Sequence, residues 1–470
     1  MDKPPGSGTM IENRTFDEIV VGESASLSRT MSQRDIDLFA VISGDVNPAH
    51  MDPAYAATDM FHRVIAHGML GAGLISSVLG TRLPGPGTIY LAQDLRFLQP
   101  VSIGDTITAT LTVTEKHAEK GDLVLDCRCV NQTGQLVISG TARVRAPTEK
   151  VCRLRIELPD VQLSRHERFR ALLAAVSGLA PLPTAVAYPC DANALGAAVE
   201  AAHAGLIAPI LVGPKLKILA AAAAAQVDIT GFRLVDAPHS EAAAAASVAL
   251  VRTGEAALLM KGSLHTDELL HAVLAPDIGL RTGRLLSHVY LMDVPSYPRP
   301  LLVTDGAVNI APDLEQKRDI VQNAIDLAHV MGIETPRVAV LAAVETVNPK
   351  MRSTIDAAAL CKMADRGQIT GGLLDGPLAF DNAVSPTAAA EKGITSQVAG
   401  RADILLVPDL EAGNMLAKQL TFLAGADAAG VVLGARVPII LTSRADGERT
   451  RMASCAVAVL IAHRRITAGV

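Results

Sequence analysis

The pattern of apolar residues changes near residue 150, and this change limits the possible folds of the chain more than any other feature. Before it, β-branched residues alternate with polar ones between turn-forming residues, which predicts paired strands. After about residue 165, short apolar runs alternate with helical segments, which is typical of a mostly parallel sheet covered by helices. We therefore predict an α+β domain over 1–150 and an α/β domain over 151–470, joined through the proline-interrupted segment 146–168.

One helix stands among the strands of the first domain. Residues 66–83 (AHGMLGAGLISSVLGTRL) have a helical pattern although each internal glycine costs about 1 kcal/mol relative to alanine. Such a helix suits close approach by a neighbour, and we expect a sheet wrapped around it. The predicted strands are 106–117, 122–130 and 136–146 in the first domain, and 206–214, 299–306, 337–344, 402–409 and 437–443 in the second.

Composition excludes several classes of protein. A net charge of −6 argues against non-specific nucleic-acid binding. No apolar run reaches the roughly 18 to 20 residues that cross a bilayer, and the first residues do not have the pattern of a secretory signal. The six cysteines do not form a four-ligand metal pattern, although Cys127 and Cys129 share a strand face. We expect free thiols in a reducing cytoplasm.

The stretch SGDVNPAHMDP (43–53) places Asp45, Asn47, Pro48 and His50 within a few positions. Proline disfavours helix in the preceding residue and suits the first turn of a helix, so a turn followed by a helix start is predicted. That arrangement is compatible with an Asx turn beside a surface histidine. It is equally compatible with a carboxylate and an imidazole that face the same cleft and move protons.

The longer run FAVISGDVNPAHMDPAYAA (39–57), continued by IAHGMLGAGLISSVLG and by the segment up to about residue 145, resembles the (R)-specific enoyl-CoA hydratases of the MaoC-like, hot-dog-fold family. Ala49 departs from the larger aliphatic residue usual there. The resemblance implies that Asp45 and His50 activate a water that adds to a trans-2-enoyl-CoA. It makes Asn47 and Gly68 substrate-binding residues, with the amide near Gly68 facing the thioester oxygen.

The same resemblance implies that Ser76 hydrogen-bonds the catalytic aspartate, although a helix serine can instead bond its own backbone. His62 and His67 are interpreted as structural. Hot-dog domains of a single repeat pair through a sheet edge, so at least a homodimer is expected.

In the second domain, VPIILTSRAD (437–446) places Ser443 and Arg444 after a buried strand, where ligands of α/β sheets bind. A surface-loop arginine would be the ordinary interpretation of this stretch alone. Together with LLMKGSLHTDELLHAVL, GLRTGRLLSHVYLMDVP and LLDGPLAFDNAVS, however, it resembles phosphate acetyltransferases and phosphate butyryltransferases over about residues 165–465. The resemblance implies transfer of an acyl group between CoA and inorganic phosphate without a metal or cofactor.

By the same resemblance, Ser443 and Arg444 line the reaction centre, and Arg281 and Arg284 hold substrate phosphates. Acetyltransferases carry an aspartate seven residues after the serine, where this chain has Thr450. Asp446 and Glu448 are nearby carboxylates, so the group that assists the CoA thiol stays open. Lys261 and Asp375 can equally be site residues or scaffold.

The combined prediction is a bifunctional enzyme: an enoyl-CoA hydratase fused to a phosphate acyltransferase, with acyl-CoA and phosphate as substrates. Thr450 motivates a first alternative, an active hydratase with an acyl-CoA-binding domain that has lost transferase turnover. A second alternative is a non-enzymatic acyl-CoA sensor or scaffold. Chain-length preference and channelling between the two domains stay open.

Overall fold

The structure is a computed structural model that describes residues 9–159, 161, 163, 166–442 and 446–468. The chain divides into two compact units, Met1–Leu163 and Ser164–Val470, here called the N-terminal and C-terminal units. The division lies later than the boundary predicted at residue 150. The reason is that a strand at Cys152–Leu154 pairs with Met10–Glu12, which keeps this segment with the N-terminal unit.

The N-terminal unit has a five-stranded antiparallel sheet in the order β2-β4-β5-β6-β3, and a two-stranded sheet of β1 and β7. Its strands are β1 (Met10–Glu12), β2 (Ser24–Thr30), β3 (Ile89–Phe97), β4 (Thr106–His117), β5 (Asp122–Val130), β6 (Leu136–Arg145) and β7 (Cys152–Leu154). Its helices are α1 (Gln33–Ser43), α2 (Pro48–Met51), α3 (Pro53–Thr58) and α4 (Gly68–Thr81). The three predicted strands are confirmed as β4, β5 and β6, and the predicted helix as α4.

The sheet packs against α4, as expected from its glycines. Alternate residues of β4, such as Ile107 and Leu111, are fully buried and share a core with Ile75 of α4. A Cβ atom at Gly71 would lie 2.6 Å from Cδ1 of Ile138 on β6, and one at Gly68 would lie 3.0 Å from Cε1 of the Phe97 ring on β3. At these two positions glycine is therefore what lets the helix approach the strands.

The C-terminal unit is built on an eleven-stranded sheet in the order β10-β9-β8-β11-β18-β17-β12-β13-β16-β14-β15. Its strands are β8 (Leu182–Ala187), β9 (Ile207–Gly213), β10 (Arg233–Asp236), β11 (Leu258–Lys261), β12 (Ser287–Asp293), β13 (Leu301–Thr304), β14 (Arg337–Leu341), β15 (Leu373–Leu378), β16 (Ile404–Leu406), β17 (Asp427–Leu433) and β18 (Ile439–Ile440).

The helices of this unit are α5 (Glu167–Val176), α6 (Ala192–His203), α7 (Lys215–Ala225), α8 (Ser240–Arg252), α9 (Thr266–Leu274), α10 (Leu314–Val330), α11 (Arg352–Asp365), α12 (Phe380–Val384), α13 (Pro386–Glu391), α14 (Leu410–Leu423) and α15 (Glu448–Ala468). Among the described residues, none of the helices is long and apolar enough to cross a membrane.

The sheet is mostly parallel, as predicted, but β12 and β17 each run antiparallel to both of their neighbours. β12 pairs antiparallel with both β13 and β17, and β17 pairs antiparallel with β18. The connections from β12 to β13 and from β17 to β18 are short, and a parallel neighbour would need a crossover of about a dozen residues or more. The parallel strands β8, β11 and β18 end at one edge of the sheet, and this edge carries the second site described below.

Candidate active sites

The turn between α1 and α2 fixes the position of Asp45. Helix α1 ends at Gly44, which is left-handed with φ 74°. The Asp45 carboxylate accepts the N–H of Asn47 at 3.1 Å, and the Asn47 side chain accepts the N–H of Ala49 at 3.1 Å as the N-cap of α2. The predicted Asx turn is therefore present. It also leads directly into the short helix that carries His50.

The Asp45 and His50 side chains come together with the side chain of His67. One oxygen or nitrogen atom of each lies within 4.8 Å of the other two. Two hydrogen bonds of about 2.8 Å that meet at a tetrahedral water span about 4.6 Å, so one water fits between the carboxylate and an imidazole here. Asp45 is exposed and His50 is half-buried. The two interpretations of the turn are thus both compatible with its geometry.

The hydrogen bond of His50 leaves one ring nitrogen available for the reaction. Nδ1 of His50 lies 2.8 Å from the main-chain oxygen of Ile65. A carbonyl can only accept, so Nδ1 carries the proton and donates it, and Nε2 of the neutral ring keeps its lone pair. The carbonyl thereby selects the tautomer that can take a proton from water.

His67, interpreted from sequence as structural, is the third member of this cluster. Its ring lies 4.0 Å from the His50 ring, centre to centre, at 38°, and its Nε2 is 3.0 Å from the main-chain oxygen of Asp45. Two imidazoles on one tetrahedral zinc, with Zn–N near 2.0–2.1 Å, keep their centres about 5 Å apart. The closer stack of these two rings therefore favours a proton-transfer cluster over a metal centre.

A cavity of about 310 Å³ opens beside this cluster. It is lined by His50, His67 and Gly68 on one side, and by largely apolar residues that include Phe97 and Ile138. Gly68 is the first residue of α4, where the N–H has no intrahelical acceptor and the helix dipole is positive. The cavity thus combines apolar walls for an acyl chain with an amide suited to an oxyanion.

The structure does not bring Ser76 to Asp45 within the single chain. Ser76 lies on the exposed face of α4, two turns after Gly68. The part of the chain that the structure describes contains no hydrogen bond between these two side chains. The role of Ser76 stays a prediction, and so does substrate contact by Asn47, whose side chain caps α2.

The second candidate site lies where β8, β11 and β18 end. Ser443 and Arg444, predicted to line the reaction centre, lie outside the described residues. The preceding Thr442 lines a polar cavity of about 60 Å³. The remaining walls come from the start of α6, the C-terminal end of β11 and the first turn of α15. In that order the residues are Asp191, Asn193, Ala194 and Ala197, then Met260, Lys261, Gly262 and Ser263, and then Arg451.

Two cationic side chains face this cavity, which we call the Lys261 cavity. Lys261 is only 9% exposed. Arg451, on the first turn of α15, donates from Nη1 to the main-chain oxygen of Asp446 at 2.7 Å, and its Nη2 lies 3.5 Å from Glu200. Its Nε is buried and has no hydrogen-bond partner among the described residues. A buried N–H of a cation without an acceptor is the kind of group that a bound anion satisfies.

The backbone around the Lys261 cavity is held by Ser263. Its hydroxyl donates to the main-chain oxygen of Tyr188 at 2.8 Å and accepts the main-chain N–H of Cys190 at 3.0 Å. These bonds tie the end of β11 to the end of β8. The Lys261 side chain is thus carried by fixed backbone, which is the arrangement expected of a ligand site more than of a flexible surface loop.

The other predicted residues of this unit lie outside the Lys261 cavity. Arg281 is exposed and pairs through its backbone with Ala435, and Arg284 is ion-paired with Asp326. Asp375 lies on β15, the far edge strand of the sheet, where its carboxylate accepts the N–H of Gly376. The position of Asp375 favours a scaffold role for it. The binding of substrate phosphates by Arg281 and Arg284 stays a prediction.

Thr450 lies in the first turn of α15, and the carboxylates that precede it nearby in sequence are Asp446 and Glu448. The main-chain oxygen of Thr450 accepts a hydrogen bond from the Ser454 hydroxyl. That hydroxyl in turn accepts the N–H of Gly430 on β17. Asp446 lies near the half-buried Tyr290: burial, and then the negative charges of Asp446 and Asp305, raise the pKa of Tyr290 to about 12. The Asp446 carboxylate is thus within electrostatic reach of Tyr290, and its main-chain oxygen is bound by Arg451.

Comparison with known proteins assigns each unit to a family. The model described as Phosphate acetyl/butaryl transferase matches residues 240–459, and that described as MaoC like domain matches residues 20–126. A phosphate acetyltransferase from Rhizobium meliloti is 63% identical over 309 residues, covering 66% of this chain and 97% of that protein. The chain belongs to the phosphate acetyl/butyryltransferase family. It carries a MaoC-like domain in front of the transferase domain.

Solved structures resemble the two units separately. A branched-chain phosphotransacylase from Enterococcus faecalis V583 is 31% identical and covers 60% of this chain and 99% of that chain, with a TM-score of 0.54. The unliganded R-hydratase PhaJ1 from Pseudomonas aeruginosa is 44% identical and covers 33% of this chain and 100% of that chain, with a TM-score of 0.32. The predicted fold classes, a hot-dog domain followed by a mostly parallel α/β domain, are confirmed.

Proposed function

We propose that the N-terminal unit hydrates trans-2-enoyl-CoA to (R)-3-hydroxyacyl-CoA. The observation that carries this proposal is the approach of the Asp45 carboxylate and the His50 imidazole to a distance that one water spans. The MaoC-like match over residues 20–126 supports it. No metal or cofactor takes part, because the carboxylate, the imidazole and the helix amide supply every proton and charge that the addition needs.

The reaction follows from these contacts. The water between Asp45 and His50 gives up a proton as its oxygen bonds to the β-carbon of the enoyl thioester. The thioester oxygen then carries negative charge, which the Gly68 amide and the N-terminal end of α4 stabilise. The proton delivered to the α-carbon restores the thioester. The elements of one water are thus added across the double bond, and both side chains regain their starting states.

The test uses the purified full chain and crotonyl-CoA. Loss of the enoyl absorbance and formation of the (R)-3-hydroxy product are expected. Replacing His50 by Gln, which keeps a donor but cannot take the proton, should lower kcat about 100-fold or more. Replacing the exposed His117 by Gln is the matched control. No hydration by the parent chain, or unchanged hydration by His50→Gln, would favour the sensor or scaffold alternative.

For the C-terminal unit, we propose acyl transfer between CoA and inorganic phosphate, with the phosphate bound in the Lys261 cavity. Support comes from the family match and from the positions of Lys261 and Arg451 at the carboxyl ends of parallel strands. The chemistry needs two anions brought together and no covalent intermediate on the protein. The 63% identity to a phosphate acetyltransferase favours acetyl as the transferred group.

We further propose that Asp446 takes the place of the carboxylate missing at Thr450. Asp446 precedes α15, and the Arg451 guanidinium binds its main-chain oxygen. Its charge contributes to the raised pKa of Tyr290, so the carboxylate lies within electrostatic reach of that side chain. It would accept the thiol proton as CoA attacks the acyl phosphate, or return that proton in the opposite direction.

Phosphate-dependent release of CoA thiol from acetyl-CoA and butyryl-CoA tests this half. In Lys261→Met we expect the KM for phosphate to rise at least about tenfold, while the KM for acetyl-CoA stays within about twofold; the exposed Lys418→Met is the matched control. An unchanged KM for phosphate would refute the phosphate site. Thiol release absent in the parent, although acetyl-CoA binds, would support the alternative of a domain without turnover.

We also propose that the chain pairs with a second copy through β3. This strand is one of the two edge strands of the five-stranded sheet, and it exposes Tyr90, Leu91 and Phe97. An exposed apolar edge with unpaired backbone groups is a template for another strand. A mass near twice 49.0 kDa in solution, lost in Leu91→Lys, is the expected result; a monomeric parent would contradict it.

A further inference from the structure

The hydratase site contains a second histidine, His67, that neither the turn motif nor the acid–base chemistry requires. His67 is 3% exposed, and it is the residue immediately before α4. It has no side-chain capping bond to the helix that it precedes. Its ring is instead turned toward the catalytic turn, where it meets both Asp45 and His50.

The contacts of His67 fix its tautomer. The Asp45 carbonyl can only accept, so the proton of the neutral ring is on Nε2. Nδ1 is buried and has no hydrogen-bond partner among the described residues. A proton on Nδ1 would be buried without an acceptor, which costs about 1–3 kcal/mol. The Nε2–H tautomer is therefore favoured, and its donor is committed to the Asp45 backbone.

The ring also limits the movement of His50. It stands between the rings of Phe39, at 4.9 Å and 44°, and of His50, at 4.0 Å and 38°. Phe39 belongs to α1, which leads into the catalytic turn. One side chain thus contacts the helix before the turn, the turn backbone and the imidazole after it. The next residue along the chain, Gly68, supplies the oxyanion amide.

We propose that His67 is a positioning residue that holds Asp45 and His50 in register with the Gly68 amide, through the hydrogen bond from Nε2 to the Asp45 carbonyl. This inference rests on the proposed hydratase function. An error of about 1 Å in the placement of reacting groups lowers rates about 100-fold. Losing the donor should therefore reduce kcat without reducing substrate binding to the same extent.

Two substitutions separate the donor from the ring. His67→Phe keeps an aromatic ring between Phe39 and His50 but cannot donate to the Asp45 carbonyl. His67→Gln keeps a side-chain N–H at a similar reach but loses the ring. We expect His67→Phe to lower kcat for crotonyl-CoA about 10- to 100-fold with KM within about threefold, and His67→Gln to retain several-fold more activity than His67→Phe.

A comparison of kcat with KM distinguishes positioning from simple stability. If His67→Phe lets Asp45 move away from His50, kcat should fall while KM stays near the parent value, and His67→Gln should restore part of the lost kcat. Phosphate-dependent thiol release by the same polypeptide and its thermal unfolding report whether the chain is intact, and His117→Gln is the control.

The outcomes are distinct. If the parent chain does not hydrate crotonyl-CoA, the proposed function fails before the role of His67 is reached. If the parent is active and His67→Phe stays within threefold of it, the positioning role is refuted. Equal losses of kcat in both variants would also refute it, because the side-chain donor that His67→Gln keeps would then have no effect.

Discussion

Replacing Asp45 by Asn removes the charge from the acid–base pair and leaves the turn in place. The Asp45 carboxylate accepts the N–H of Asn47 at 3.1 Å, and the amide oxygen of Asn can accept the same bond. The other end of the turn is held by Gly44 and by the Asn47 cap, which this substitution does not touch. The fold around residue 45 should therefore persist.

The expected magnitudes follow from this geometry. Asp45 is exposed, and its bond to Asn47 is kept, so the free energy of unfolding should change by less than about 0.5 kcal/mol. General acid–base catalysis by a positioned side chain contributes about 10²- to 10⁴-fold, which corresponds to about 2.7–5.5 kcal/mol in activation free energy. Activity should thus fall by far more than stability.

The assay compares the parent chain, Asp45→Asn and Asp45→Ala in the hydration of crotonyl-CoA. Alanine removes both the charge and the turn bond, so it should be as inactive as asparagine and slightly less stable. Phosphate-dependent thiol release by the C-terminal unit of the same molecules should be unchanged. If Asp45→Asn hydrates within threefold of the parent rate, the carboxylate is not part of the acid–base pair, and the turn has only a structural role.

Three further predictions concern groups outside the two sites. Lys317→Met should destabilise the C-terminal unit by up to about 3–5 kcal/mol in chemical denaturation, because it removes the buried lysine 2.8 Å from the buried Asp356 and leaves that carboxylate the exposed Arg352 at 3.6 Å; Lys317→Met with Asp356→Leu should recover most of the loss. Burial raises the pKa values of Cys127 and Cys129 to about 11 and 12, so alkylation at pH 8 followed by mass spectrometry should modify the exposed Cys152 but neither of these. Burial opposes ionisation of Asp35, but hydrogen bonds from Ser32 and the Arg29 guanidinium lower its pKa below the usual value. Its contribution to stability is therefore present above the unfolded pKa and lost as pH falls through the folded one, so the stability difference from Asp35→Asn should shrink below about pH 4.

Whether a segment forms a strand or a helix could be predicted from the sequence where its apolar residues recur at a regular spacing. The alternation in 106–117 and 122–130 specifies strands with one buried face, and β4 and β5 occupy these ranges. Strand direction was harder to foresee in the C-terminal unit. The apolar runs of β12 and β17 resemble those of the parallel strands elsewhere in the sheet, and the short connections after them make them antiparallel to β13 and β18.

In the candidate sites, too, some contacts could be predicted from the sequence and others could not. The pairing of Asp45 with His50 could be predicted because a local turn brings together residues five positions apart. The part played by His67 could not, because its contacts with Asp45 and Phe39 span more than twenty residues and depend on how α4 packs. Its position directly before the glycine that starts α4 was the one available signal. Sequence left Asp375 open between site and scaffold, and its place on the edge strand β15 favours scaffold.

The two cavities differ in size as the two proposed chemistries require. A cavity of about 60 Å³ has room for roughly four waters, which is close to the space of one tetrahedral oxyanion. The cavity beside His50, at about 310 Å³, is large enough for a short acyl chain. Ile138 and Phe97 stand where α4 meets the sheet, so they set the depth of that cavity. Acyl-chain selection in hydration should therefore respond to these two side chains, whereas phosphate affinity in transfer should respond to Lys261 and Arg451.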